Sequence, residues 1–242
     1  MENSNLPFQV WYLAILFMTA TKKGVSACEL QRQLGYNRYM TVWSLMHRIR
    51  VLMGKRDDLY SLTGMIEFDE TFFEIAVSKN KRNKLKHGKG SQRQQNVGVM
   101  AESTPLEDPE TGEESKHCRF FKMAVFETQK ADSVNPFIEN NVIPDSVVFT
   151  DQAANYKDIE RYVDLHVTEK SSKETTITTL KWVHIAISNA KRTFLGVYHQ
   201  ISVNYLQNYI NEFIYKLNRR FSGDLFERVI IAAVFPFWYN CD

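Results

Sequence analysis

Apolar residues recur at helical spacing through the first sixty positions. Trp11, Ile15 and Met18 share one face of a segment from Phe8 to Lys23 that no Gly or Pro interrupts. Gly24 breaks it, and Ser26-Ala27-Cys28-Glu29 then reads as a capping box: the serine hydroxyl accepts from an amide three residues on, and Glu29 reaches back to the cap. This second helix turns Leu30 and Leu34 inward and stops at Gly35. Asn37 is placed to cap a third helix, whose stripe is Val42, Trp43, Met46, Ile49 and Met53. Its other face carries Arg38, Thr41, His47, Arg48 and Arg50. A short helix, a turn with glycine and a second helix with basic residues near its start form the helix-turn-helix pattern. A three-helix bundle with a basic surface is the alternative. Lys55-Arg56-Asp57-Asp58 reads as the linker that follows.

From Gly64 the period changes. Met65-Ile66-Glu67-Phe68-Asp69 alternates as a strand does, and 96–101 and 119–127 are two more strand candidates. A helix is expected over 131–142, with Val134, Phe137, Ile138 and Val142 inward. The run 146–151 is short, apolar and ends in an acid, which suits a buried strand, and 164–168 suits another. Helices over 182–195, 203–221 and 225–234 complete the chain. Strands, a crossover helix, a strand and more helices make an α/β order. The expected organisation is a small all-α domain over 1–60 and an α/β domain over 61–242.

Composition adds limits. Aromatic residues are 13% of the 242 positions, enough for a sizeable core, so a disordered chain is excluded. The apolar run Val10 to Met18 is too short to cross a bilayer, so no membrane association is expected. Cys28, Cys118 and Cys241 are far apart, which gives neither a disulfide framework nor a zinc ribbon and suits a reducing cytoplasm. The net charge of +2 conceals two opposed blocks. Lys79, Lys81, Arg82, Lys84, Lys86, Lys89 and Arg93 have no acid among them, and Glu102 to Glu114 has no base. Both blocks are expected as hairpin loops between the first three strands. The basic one either stays in solvent or tracks a phosphate backbone.

Asp69 ends the first strand and Asp151 ends the short buried one. Side by side in one sheet, they would present two acids at the same edge. Paired carboxylates repel unless a cation bridges them. Hard divalent ions take oxygen ligands, and a two-ion clamp serves phosphoryl transfer. Capping the next turn is the structural alternative for either aspartate. On the helix from Trp182, His184, Ser188 and Lys191 share the stripe opposite Val183, Ala186, Ile187, Ala190 and Phe194. The rise from His184 to Lys191 is roughly 10 Å, which puts an imidazole and a cation on one ridge.

Longer segments carry a resemblance. Lys23-Gly24-Val25-Ser26, Leu30-Gln31-Arg32-Gln33-Leu34-Gly35 and His47-Arg48-Ile49-Arg50 resemble the helix-turn-helix segment of bacterial insertion-sequence transposases of the ISXO-like family. Phe68-Asp69-Glu70-Thr71 resembles that family's first catalytic aspartate motif, and Thr150-Asp151 followed by Tyr156 its second. Lys191-Arg192, Gly196-Val197-Tyr198-His199, Leu206-Gln207, Tyr209, Glu212-Phe213 and Asn218-Arg219-Arg220 resemble its C-terminal signature.

The resemblance implies an RNase H-like catalytic domain, a mixed sheet with flanking helices, behind the helix-turn-helix region. It implies a DDE-type transposase that uses Mg²⁺ or Mn²⁺ to cut element ends and join them to target DNA. Asp69 and Asp151 would be metal ligands. The third ligand, usually Glu or Asn, falls on His184, with Glu169 and Glu174 the nearest alternative carboxylates. Lys191 would contact phosphate. Arg38, Arg48, Lys81, Arg82, Lys84, Lys86, Arg192, Arg219 and Arg220 would hold double-stranded DNA. A homo-oligomer is expected in the synaptic complex, in a bacterial cytoplasm at the nucleoid. The cysteine zinc ribbon that commonly begins family members is missing from this sequence. That motivates a second expectation, a DNA-binding remnant that never cuts; a third is a nuclease that cuts without joining.

Overall fold

The computed structural model describes residues 4–77, 91, 93–107, 114–127, 131–152, 156, 158–170, 172 and 178–234. Lys81, Arg82, Lys84, Lys86, Glu174 and Cys241 lie outside the described residues. In chain order come α1 (Phe8–Ala20), α2 (Ala27–Leu34), α3 (Tyr39–Asp58), β1 (Met65–Glu74), β2 (Gln94–Glu107), β3 (Glu114–Phe126), α4 (Ala131–Asn141), β4 (Val147–Asp151), β5 (Leu165–Glu169), α5 (Lys181–Val197), α6 (Leu206–Asn218) and α7 (Leu225–Val234). The chain forms two compact units, each discontinuous in sequence. One is Met1–Leu59 with Thr193–His199 and Gln207–Asp242, and the other is Tyr60–Arg192 with Gln200–Leu206. The C-terminal helices therefore group with the first 59 residues.

The helical unit closes around Trp11, Ile15 and Met18 of α1, Leu30 of α2, and Val42, Met46, Ile49 and Met53 of α3. Tyr215 of α6 and Val229 of α7 complete it. The Ser26 hydroxyl accepts from the Glu29 amide at 3.2 Å. The reciprocal half of the capping box is absent, because the Glu29 carboxylate instead accepts from the Arg32 and Gln33 side chains. Gly35 takes the left-handed conformation, φ 62°, and its amide and that of Tyr36 return to the Arg32 and Gln31 carbonyls.

Three expectations for α3 are corrected. Arg38 rather than Asn37 stands at the N-cap, with no side-chain cap. The helix runs through Lys55 to Asp58, which is helix and not linker. His47 and Arg50 are buried, not on a solvated face. Arg50 Nε lies 2.8 Å from Glu212 Oε2, and its guanidinium lies 4.1 Å over the Tyr209 ring. Lys216 approaches Glu212 Oε1 at 2.8 Å. The Tyr198 hydroxyl donates to Glu212 at 3.2 Å and accepts from Arg50 at 3.4 Å. Gly24, φ 95°, packs so close that a Cβ there would sit 2.6 Å from that hydroxyl.

The second unit is built on a five-stranded sheet in the order β3-β2-β1-β4-β5. β1, β2 and β3 pair antiparallel, while β4 runs parallel to β1 and β5 parallel to β4. Ile66 and Phe68 of β1 face a core shared with Val134, Phe137 and Ile138 of α4, and with Tyr156 and Ile159. Glu67 points to the opposite face, where it meets the start of α5. Helices thus cover both faces of a mixed sheet, consistent with an RNase H-like domain. The strands outrun their expected bounds: Glu102, Glu107 and Glu114 of the acidic block lie within β2 and β3 and not in a loop. Among the described residues no helix is long and apolar enough to cross a membrane.

Candidate active site

The β1–β4 register brings the two aspartates together. Met65, Ile66 and Glu67 pair in parallel with Val147, Val148 and Phe149. Two residues beyond the last of these pairs stand Asp69 and Asp151. Asp151 ends β4, whereas Asp69 lies inside β1, which its pairing with β2 carries on to Glu74, and not at the expected strand end. Both are half-buried, and Asp69 Oδ1 accepts from the Glu70 amide at 2.8 Å. β5 extends the same edge, because Asp151 pairs in register with Glu169. Glu169 Oε2 accepts from the Thr179 hydroxyl at 2.6 Å.

Helix α5 brings the third group. His184 Nε2 lies 3.9 Å from Asp69 Oδ2, wider than a hydrogen bond. Burial lowers the His184 pKa, and the charge of Asp151 opposes that shift. The imidazole is thus held towards its neutral, ligand-competent form. Lys191 is exposed, with its amine 5.9 Å over the Phe73 ring. Partial burial lowers its pKa, against the charge of Asp69. Tyr156 is buried, and burial first, then the charges of Glu70, Asp69 and Asp151, push its hydroxyl well above the ordinary range.

The basic candidates divide. Arg38, Arg48 and Arg192 are exposed, and Arg192 is braced by the Ser188 carbonyl and Asn189. Arg220 is half-buried over the Phe221 ring. Arg219 is not at the surface. It is buried, 2.6 Å from Asp57 and 3.8 Å over the Tyr215 ring. Its buried position comes from this ion pair and not from any feature of the local charge pattern.

Glu67 is the residue that the sequence reading passed over. It is 1% exposed, and its Oε2 accepts from the Trp182 and Val183 amides at 2.7 and 3.1 Å. The signal was present: an acid in the middle of an apolar strand, in phase with Asp69.

Among the described residues, no three His, Cys, Asp or Glu side chains converge into a ready metal cage. A hard divalent ion does not need one, since Mg²⁺ is commonly held by one or two carboxylates with water and substrate phosphate. Two ligand bonds of about 2.1 Å also span the 3.9 Å between Asp69 and His184. The donors present therefore fit such an ion.

The sheet is mixed, and Asp69 and Asp151 lie on its adjacent parallel strands β1 and β4. Residues 61–218 match the family model described as the ISXO2-like transposase domain. No curated protein matches the chain. The chain belongs to the ISXO2-like transposase family, whose business is DNA transposition.

Proposed function

We propose that this chain binds double-stranded DNA at the ends of a mobile element, cuts it with the help of a divalent metal and joins the ends to a target. The observation that carries the reading is the Asp69–Asp151 pair in one register, with His184 3.9 Å from Asp69. Asp69, Asp151 and His184 would hold Mg²⁺ or Mn²⁺. The bound ion would activate the attacking oxygen and stabilise the leaving oxygen of an in-line displacement. Asp69 and Asp151 fix where the scissile phosphate comes to rest, and the neutral His184 offers Nε2 without adding positive charge. Lys191, on the same helix, pairs with a phosphate oxygen beside the cut.

Arg38 at the N-cap of α3 and Arg48 within it would anchor the duplex through its backbone, in a helix-turn-helix formed by α2 and α3. Arg192, Arg220 and the basic stretch with Lys81, Arg82, Lys84 and Lys86 would add sequence-tolerant contacts. Arg219 is left out, because its guanidinium is committed to Asp57. Joining two ends calls for a homo-oligomer in the synaptic complex.

The test incubates the protein with its element-end duplex and Mg²⁺ or Mn²⁺. Asp69→Asn and Asp151→Asn are each expected to abolish nicking and joining while DNA binding persists. His184→Glu is expected to move the metal preference from Mn²⁺ towards Mg²⁺, since it restores an oxygen ligand. Full cutting by either Asn variant refutes the reading. A silent His184→Ala beside an inactive Glu169→Gln would transfer the third ligand to Glu169.

A further inference from the structure

Helix α5 has an unusual start. Its first intrahelical bond runs from the His184 amide to the Leu180 carbonyl, so Leu180 occupies the N-cap position. Leucine has no side-chain acceptor for the free amides of the first turn, and a cap is worth roughly 1 kcal/mol. The acceptor comes instead from β1, 115 residues earlier in the chain, where Glu67 Oε2 takes the Trp182 amide. It takes the Val183 amide as well.

The placement matters more than the capping energy. A serine or aspartate at position 180 would stabilise α5 equally well and say nothing about where the helix lies. A cap reaching across from the strand fixes the helix start against β1, two residues before Asp69 and next to His184. The same turn is also held from β3. The Lys116 amine donates to the Thr179 carbonyl at 3.3 Å, and the Trp182 indole donates to the Lys116 carbonyl at 3.1 Å. Burying a carboxylate to do this carries a desolvation cost that a local cap avoids.

We propose that Glu67 is a positioning residue: by capping α5 from β1 it sets the distance between His184 on the helix and Asp69 on the strand. The inference rests on the metal-dependent reading above, in which those two side chains share an ion. It assigns no ligand role to Glu67 itself, whose Oε2 is taken up by the helix amides and whose Oε1 lies 3.8 Å from the Lys116 amine.

The experiment titrates Mn²⁺ into the full chain without DNA and follows free ion by electron paramagnetic resonance. Circular dichroism checks that each variant folds. Glu67→Gln keeps an acceptor oxygen and is expected to bind Mn²⁺ as the native protein does. Glu67→Met keeps the volume but has no acceptor, and its affinity is expected to fall about tenfold, the scale of a lost supporting hydrogen bond at a metal ligand. The Glu67→Met, His184→Ala double variant is expected to bind no more weakly than His184→Ala alone, because Glu67 acts through His184.

Native affinity in folded Glu67→Met, or a loss that adds to that of His184→Ala, overturns the proposal. If Glu67→Met does not fold, Glu67→Asp replaces it, keeping the charge but shortening the reach by one methylene. Native affinity in that variant overturns the proposal equally. Asp69→Asn separates the two levels. If Asp69→Asn binds Mn²⁺ as the native protein does, or the native protein binds none, the metal reading fails and this inference with it. If Asp69→Asn loses the ion while Glu67→Met keeps it, only this inference fails.

Discussion

His47 sits beside the buried Arg50–Glu212 pair and takes a hydrogen bond from the Asn208 amide on Nδ1 at 3.1 Å. Burial and then the charge of Arg50 push its pKa down to about 4, with Glu212 opposing. Protonation would also remove the lone pair that Asn208 uses. The folded protein therefore binds this proton less readily than the unfolded chain, whose histidine titrates near 6.5. The stabilisation is complete above about 6.5 and is lost as pH falls towards about 4. Urea unfolding followed between these limits should show a fall on the order of 2 kcal/mol in the native protein beyond that in His47→Gln. Parallel slopes in the two proteins would assign the pH dependence to other groups. Nothing in the run His47-Arg48-Ile49-Arg50 distinguishes the buried charges from the exposed one. Their partners Asn208 and Glu212 lie on α6, far along the chain, and helical periodicity carries no information about them.

Elements whose apolar residues keep one period are legible in the sequence, and those shaped by pairing are not. The inward residues of α1 and α4 follow from spacing alone, as does the β1 alternation that sets Asp69 and Glu67 on one face. Strand lengths did not follow, because β2 and β3 extend into a charged block that their mutual ladder stabilises despite its composition. The adjacency of β1 and β4 was an expectation from the acid-ended strands, and the parallel register supplies it. Gly98 of β2 illustrates what stays hidden. It pairs with Glu70 on one side and Ala124 on the other, and a Cβ there would land on the Phe126 ring. That ring is buried, 5.4 Å from Phe137, so it has little room to yield. Gly98→Ala should cost about 1–3 kcal/mol by urea unfolding, and Phe126→Leu in the same chain should recover part of it. An unchanged midpoint would mean that the ring moves freely.

At the scale of the whole chain, the helical unit is assembled from residues at both ends of the sequence. Its core needs Tyr215 and Val229 as much as Trp11 or Met46, and Arg50 needs Glu212. Removing one partner of a buried ion pair costs about 3–5 kcal/mol, a large part of the stability of a small domain. A fragment of residues 1–60 is therefore expected to give poorly dispersed amide resonances, and adding back residues 193–242 should sharpen them. Well-dispersed resonances from the short fragment would show that it closes its own core. The same dependence bears on the idea of a DNA-binding remnant, which would have to retain the C-terminal helices. It also orders events during synthesis. Glu212 leaves the ribosome 162 residues after Arg50, a delay on the order of ten to thirty seconds at ordinary rates of translation. The sheet unit is nearly complete by then, while the first helices made are among the last to find their partners.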